Sequence, residues 1–482
     1  MNKNYLKEPT ADRCPILYIV NPTNPCDPLT GLTQLCIFNL SDQFSIWSNH
    51  FGWRLGRRQP IKKQETLMGG RAFPLRLAAF AASLVASTAA SAAPIKIAMV
   101  ETLSGPQAST GLMFRAAARY AIDGINEAGG WNGEKITLVD YDNQGGPAGA
   151  SDKLKSAIAD GAQIVLQGAS SAVSGQLTED VRKFNIRNPG KEIIFLNLGG
   201  EAMELAGAKC NFYTFKFATN AQIRVKALVD AMKPLNALGT RVYSMNQNYS
   251  WGEDMQQAID DYAGPGGYQV VEKTLHDVNK IQDFSPYIAK ISASKATTVI
   301  TGNWSGDLLL LMKASKASGS KARFATVFLD QPGNLGNAGD AALGDYIAHP
   351  FNAEAAGAGG DQFANDFKAK QGHYPSFIEP QAVFGVQMLG AALKNVKPRD
   401  GKLSTRELAI ALEKTTFKSP LGEMSIRATD HQVLLPMVVS VVANDAKYKV
   451  DGTNMGFKPV KTFSAAQAAT PAQASCKMVR PE

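Results

Sequence analysis

From residue 94 onward the chain alternates short apolar runs with longer stretches whose apolar residues recur every three or four positions. The runs 95–100, 136–141, 164–166 and 192–198 read as strands, and the periodic stretches 112–125 and 150–159 as helices. Ser104-Gly105 turns into the first helix and Gly129-Gly130 stops it. After Thr219-Asn220 the rhythm restarts: helices over 221–232, 252–262, 284–292 and 308–317, strands over 241–245, 269–275, 298–302 and 323–329. Strands alternating with helices at this spacing predict an α/β fold of βαβ units, with parallel sheets covered on both faces, and the restart predicts a second sheet. The Gly/Ala-rich stretch 353–360 marks a loosening before further helical stretches at 361–370, 380–395 and 405–414, and 436–442 is a late β-branched run. The Ala/Gln/Pro-rich segment 464–475 is expected to lie extended over the surface.

The formal net charge is +8, but residues 1–76 hold ten Lys or Arg against five acids, so +5 of it sits there and +3 in everything after. The main body is close to neutral and has no basic run interleaved with aromatics, which argues against a nucleic-acid partner. The charge asymmetry has a local cause. From Met68 a positive segment with Arg71 and Arg76 leads into an uncharged apolar core over 77–90, followed by Ala90-Ser91-Ala92. This is the pattern of a secretory signal peptide spanning 68–92 and cleaved near Ala92, its core being shorter than the ~20 residues that span a bilayer. A signal peptide belongs at an amino terminus, so residues 1–67 are expected to be a mis-assigned extension or a disordered leader.

Removal of that region leaves Cys210 and Cys476, an even count in an exported chain, and they are expected to pair and tie the tail to the body. No metal or other cofactor is implied, since there is no CxxC or HExxH and His50, His276, His349, His373 and His431 do not cluster. A nucleotide or hydrolase signature is missing as well: no P-loop, no GxSxG, no GxGxxG between a strand and a helix. The stretch 163–176, QIVLQGASSAVSGQ, stands out instead, as a strand, a small-residue turn and a helix start with Ser170, Ser171 and Ser174 beside it. Unpaired N–H groups and the dipole at such a start suit an anion, a carboxylate among them. The alternative is that these serines only cap the helix.

Several segments together resemble the periplasmic binding proteins for branched-chain amino acids, which feed ABC importers. They are Lys96-Ile97-Ala98, Leu103-Ser104-Gly105, Ile125-Asn126-Glu127-Ala128-Gly129-Gly130 and Tyr141-Asp142, then Trp251-Gly252-Glu253, Gly339-Asp340-Ala341-Ala342 and Asp430-His431-Gln432. The resemblance covers roughly residues 94–442. It implies two doubly wound α/β lobes joined by three crossovers, with a small ligand between them. Lobe one would be 94–219 plus 351–432, lobe two 220–350 plus 433–460, and 461–482 a tail. The implied partners are a small amino acid or related carboxylate and a permease at the inner membrane. The implied protein is a periplasmic monomer without catalytic activity. A ligand-sensing module of the same fold is the alternative, and a secreted hydrolase a more distant one.

An α-amino acid presents a carboxylate, an ammonium and a side chain, and a cleft must satisfy all three. The resemblance places the carboxylate at Ser170, Ser171 and Ser174. The next strand end brings Gly200 and Glu201, where the family usually has a hydroxyl; Glu201 facing inward would repel a carboxylate. The ammonium is expected at Asp330, although Asp330-Gln331-Pro332-Gly333 is also good turn composition. Tyr249, Trp251 and Trp304 are the aromatic candidates, and Asn303-Trp304-Ser305-Gly306 is polar enough to read as a loop tip.

Overall fold

The computed structural model describes residues 93–481. The expected leader over 1–67 and the expected signal peptide over 68–92 lie outside them. The chain opens with β1 (Lys96–Glu101), β2 (Thr137–Asp142), β3 (Ile164–Gln167), β4 (Ile194–Asn197) and β5 (Thr214–Lys216), alternating with α1 (Ala108–Glu127), α2 (Pro147–Ala159) and α3 (Ser171–Arg187). β3 and β4 are buried at every position, because helices cover both faces of the sheet and leave no wet side for polar residues. α1 buries Thr110, Phe114, Ala117, Ala118 and Ala121, one face at three- and four-residue spacing. On the opposite face Leu154 and Ala157 of α2 and Val173, Leu177 and Val181 of α3 pack on Ala98, Val100, Val165 and Phe195.

The second rhythm gives β6 (Arg241–Gln247), β7 (Gln269–His276), β8 (Thr298–Thr301), β9 (Arg323–Thr326) and β10 (Tyr346–His349). Its helices are α4 (Ala221–Met232), α5 (Ser250–Asp261), α6 (Ala263–Gly266), α7 (Ser285–Ala293), α8 (Ser305–Ser318) and α9 (Asn334–Ala338). Then come α10 (Gly357–Gln371), α11 (Glu379–Leu393) and α12 (Thr405–Lys414), the strands β11 (Thr416–Ser419), β12 (Gly422–Arg427) and β13 (Gln432–Leu434), and finally β14 (Met437–Ala443), β15 (Gly456–Phe463) and α13 (Ala465–Ala468). The loosening expected over 353–360 is thus partly helix: α10 begins at Gly357.

Sheet one runs β2-β1-β3-β4-β5-β13-β12-β11 and sheet two β7-β6-β8-β9-β10-β14-β15. β1 to β5 pair in parallel, as do β6 to β10. The expectation of purely parallel sheets is corrected at one edge of each, where β11-β12, β12-β13, β10-β14 and β14-β15 are antiparallel. Loops without a crossover helix join β11 to β12 to β13 and β14 to β15, and such connections allow only antiparallel neighbours.

Both sheets wind the same way. β1 lies between β2 and β3, and β6 between β7 and β8, so the winding reverses at β1/β3 and at β6/β8. In such sheets the crevice for a ligand opens at the carboxyl ends of the strands beside that reversal. The chain passes between sheets three times, after β5, after β10 and after β13. Gln432 fastens the first passage to the third: its Nε2 donates to Ala218 O at 2.6 Å, and its Oε1 accepts from Asn220 Nδ2 at 3.3 Å.

β15 runs to Phe463, and the following segment is not extended throughout. Ser464 and Gln467 form a capping box that closes the one turn of α13. Beyond it Cys476 is bonded to Cys210, with Cα atoms 5.6 Å apart, and Arg480 Nη2 reaches Glu413 Oε1 at 2.6 Å. Burial pushes the Glu413 carboxyl up, but hydrogen bonds from His431 and Arg480 outweigh it and hold it at about 2. Opening the disulfide frees a loop of 266 residues, and loop closure on that scale contributes on the order of 4 kcal/mol. Cys476→Ser is expected to lower the unfolding free energy by about 2–4 kcal/mol in urea melts. Thiol titration of the denatured, unreduced mature protein is expected to find no free thiol.

Candidate functional site

The two crevices face each other across one cavity. Lobe one supplies Thr110 and Phe114 of α1, Gly168, Ala169 and Ser171 after β3, Gly199 and Glu201 after β4, and Phe377 and Ile378 ahead of α11. Lobe two supplies Tyr249 and Trp251 after β6, Trp304 after β8 and Phe328 after β9. The space between the lobes is about 330 Å³ with the solvent at its mouth included, an upper bound that limits the occupant to a small molecule. Phe114 closes one wall by lying against the turns after β3 and β4, and both turns need glycine for it: a Cβ would stand 2.4 Å from the ring at Gly168 and 2.1 Å at Gly199.

The turn after β3 does not present an open anion site. Glu101, the last residue of β1, fills it: its Oε2 accepts from Gly168 N at 2.7 Å and Ala169 N at 3.2 Å, and its Oε1 accepts from Thr102 N at 2.7 Å. Burial pushes its carboxyl up to about 7, against the pull of those N–H groups. The Gln167 amide takes up the rest, its oxygen 3.2 Å from Ser170 N and its nitrogen 2.5 Å from Ser174 Oγ. Ser174 is fully buried between Gln167 and Asn197 and does not reach the cavity. Ser170 is the N-cap of α3 by position, yet its side chain makes no cap bond. Neither expectation for these two serines, carboxylate reader or cap, matches their placement.

Ser171 is different. Its Oγ accepts from Glu201 N and Ala202 N, each at 3.1 Å. A hydroxyl with both lone pairs engaged has only its proton left to give, and Ser171 lines the cavity. Thr110, which the sequence reading missed, adds a second hydroxyl: its Oγ1 is buried and meets no hydrogen-bond partner among the described residues. A buried polar atom left so is costly unless something fills the cavity. Nothing in the local sequence distinguishes Thr110 from any polar residue on a half-buried helix.

The acids exchange places relative to the expectation. Asp330 is absent from this cavity and lines a neighbouring one, where its Oδ2 lies 3.2 Å from His349 Nδ1. His349 Nε2 in turn lies 2.8 Å from Ser440 Oγ. That acid, imidazole, hydroxyl order resembles a hydrolytic triad, but Ser440 is fully buried within β14 and offers no nucleophile to a substrate. Glu201 does face the cavity. Its charge is balanced by Arg224, whose Nη2 and Nε reach Glu201 Oε1 and Oε2 at 2.5 and 3.0 Å. Arg224 belongs to α4, which packs on β10 and β14, so the ion pair joins the lobes. A carboxylate holds more lone pairs than Arg224 uses, which leaves it acceptor capacity. Gly200 stands off the cavity, its N–H donating to Asn197 Oδ1 at 2.6 Å. Near the pair, Lys216 Nζ donates to the carbonyls of Glu201 and Ala202 at 3.1 and 2.9 Å, and burial lowers it to about 8.

The aromatic candidates all reach the cavity. Trp251 Nε1 donates to Gly302 O at 2.8 Å and Trp304 Nε1 to Tyr249 Oη at 2.7 Å, so their polar edges are spent and their rings are fixed. Burial raises the Tyr249 phenol. The expectation of a solvated loop tip at 303–306 is corrected: Asn303, Trp304 and Ser305 are buried. Asn303 Nδ2 lies 2.8 Å from His276 Nε2 and Ser305 N donates to Gln331 Oε1 at 2.7 Å, while Asn303 Oδ1 meets no hydrogen-bond partner among the described residues.

Two like-wound α/β lobes joined by three passages, with one small cavity between facing crevices, define a two-lobed ligand-binding protein. The chain belongs to the periplasmic binding protein family, whose profile matches residues 94–447. It is 58% identical over 405 residues to a Leu/Ile/Val-binding protein homolog 4 of Brucella abortus, covering 84% of this chain and 97% of that one. It is 26% identical over 359 residues to the leucine-, isoleucine-, valine-, threonine- and alanine-binding protein of Pseudomonas aeruginosa, covering 72% of this chain and 89% of that protein. A crystal structure of a leucine-, isoleucine-, valine-, threonine- and alanine-binding protein from Brucella ovis, in a closed conformation, superposes with a TM-score of 0.78 at 59% identity, over 81% of this chain and 100% of that one.

Proposed function

We propose that the cavity captures a small α-amino acid of the branched-chain type, or a related small carboxylate, and that the protein delivers it to the permease of an ABC importer. The observation that carries this reading is the pair of hydroxyls with a proton to give, Ser171 and Thr110, in the same otherwise apolar cavity as Glu201. The hydroxyls donate to the ligand carboxylate and Glu201 accepts from the ammonium, while Phe114, Trp304, Phe328 and Phe377 surround the side chain. The names of the Brucella and Pseudomonas relatives support the same ligand class. In this reading the protein is exported after cleavage near Ala92, acts as a monomer in the periplasm, and closes and opens about the three passages without altering what it binds.

Calorimetry and thermal shift with leucine, isoleucine, valine, threonine, alanine and small carboxylates test it, since a ligand bound only by the native state raises the melting temperature. Each ligand is then recovered and checked by mass. If none raises the melting temperature, or if the ligand returns chemically changed, the reading fails. The placement of Asp330 gives a sharper expectation. Because it pairs with His349 away from the cavity, Asp330→Asn should leave affinity well short of the tenfold or greater loss that removing a buried ammonium partner brings, about 2–5 kcal/mol.

A further inference from the structure

We propose that Phe377 is the partition that limits ligand length, separating the amino-acid cavity from a larger space into which a longer side chain would extend. This rests on the reading of the first cavity as the amino-acid site. Phe377 lines both that cavity, of about 330 Å³, and a second one of about 1650 Å³, both counted with the solvent at their mouths. The second lies between the lobes too, walled by Ser109 and Met113 of α1 on one side and by Asp330, Pro332 and His349 on the other. Most of its charged groups are engaged: Asp330 with His349, Asp451 with the N–H groups of Gly333, Leu335 and Gly336, His373 with Glu379 and Lys449 with the Asn444 carbonyl, while the exposed Lys368 lies over the Tyr374 ring. It therefore offers volume to an uncharged extension and no free counter-charge of its own at those positions.

The partition is held from both lobes. The Phe377 ring is 5% exposed and stands edge-on to Phe328 of lobe two, with centroids 5.5 Å apart at 90°. Phe328 is fixed in turn against Trp251 at 5.6 Å. The Phe377 backbone also lies in the left-handed region, at φ 55°. The other non-glycine residues with positive φ among those described are Asn, Gln, Lys, Ser, Asp and His, so Phe377 alone places a large apolar side chain in a conformation that glycine adopts freely. Packing against Phe328 holds the ring there against the preference of its own backbone, a condition that gathers at ligand clamps.

The test compares wild type, Phe377→Gly and Phe377→Ala by calorimetry with leucine, phenylalanine and 4-phenylphenylalanine, with circular dichroism to verify folding. Glycine suits φ 55° and removes the ring. Wild type is expected to bind leucine and exclude 4-phenylphenylalanine. Phe377→Gly is expected to bind 4-phenylphenylalanine at least tenfold more tightly than wild type and leucine at least tenfold more weakly, with phenylalanine in between. A folded Phe377→Gly that binds leucine as wild type does and still excludes 4-phenylphenylalanine overturns the partition while the amino-acid site stands. If wild type itself binds none of these ligands, the amino-acid reading falls and the partition with it. Should Phe377→Gly not fold, Phe377→Ala opens the same passage and is judged by the same two criteria.

Discussion

Arg224→Met is expected to be among the most destabilising single changes in this protein, at about 3–5 kcal/mol in urea or thermal melts, because it leaves the buried Glu201 carboxylate without its counter-charge. The guanidinium is buried and spends its donors on five acceptors. Besides the two Glu201 oxygens it reaches Thr219 Oγ1 at 2.8 Å, Ala348 O at 2.7 Å and Val327 O at 3.3 Å. Methionine replaces its volume but none of these bonds, so two strand-end carbonyls of lobe two lose their donor as well. Arg224→Lys is expected to recover only part of the loss, since an ammonium cannot reproduce the two-pronged contact. Replacing both partners, as Glu201→Leu with Arg224→Met, should be milder than Arg224→Met alone, because neither the carboxylate nor the guanidinium is then left buried without the other. A double replacement as damaging as the sum of the single ones would show that the pair is not coupled as drawn.

The second large effect falls on binding. Glu201→Gln is expected to weaken a zwitterionic amino acid by more than tenfold, on the scale of about 2–5 kcal/mol for one partner of a buried charge pair. The same substitution unpairs Arg224, so affinity is measured at a temperature where circular dichroism shows the variant folded. A ligand control separates the two consequences. 4-Methylpentanoate, which is leucine without its ammonium, loses nothing to the missing carboxylate, so Glu201→Gln should bind it at least as well as wild type does. Ser171→Ala should weaken both ligands, by roughly 1.5–3 kcal/mol for a hydrogen bond to a charged acceptor. If Glu201→Gln weakens leucine and 4-methylpentanoate by the same factor, Glu201 acts through the shape of the cavity and the ammonium reader lies elsewhere.

A third interlobe contact bears on the pH at which these measurements are made. Asp254 of α5 accepts from Met203 N, in the segment after β4, at 2.7 Å, and burial pushes its carboxyl up to about 6. Glu101 sits higher still, at about 7. For an acid whose folded value is raised, the folded state gains stability from protonation below the folded value and loses it as pH rises from the unfolded value, near 4, through that window. Binding comparisons among variants are therefore best made at one fixed pH.

The periodicity of apolar residues determined by itself that this chain builds βαβ units, that the pattern restarts after Asn220, and which loops fall at strand ends. The strand 164–166 read from the sequence lies in β3, and 298–302 overruns β8 by one residue; the turns after both line the cavity. β5 and β10, three and four residues long, do not stand out as strands in the sequence, although β3 and β8 are no longer than β10. Of the antiparallel edge strands only β14 stands out, as the β-branched run 436–442, while β11, β12, β13 and β15 do not.

Which polar residue faces the ligand was decided by tertiary structure alone. Asp330 and Glu201 both follow strands and are equally plausible acids in one dimension. One is claimed by His349, nineteen positions on, and the other is held by Arg224, twenty-three positions on and in the other lobe. Ser174 looked like the serine of the site, but Gln167 and Asn197 bury it. The open helix start suggested by 163–176 is closed by Glu101, sixty-seven positions before Gly168. Local propensity and periodicity act over a turn of helix or a strand, whereas a buried charge or hydroxyl is satisfied by whichever group the fold brings within about 3 Å. That choice is made between residues tens to hundreds of positions apart, and so only the folded chain expresses it.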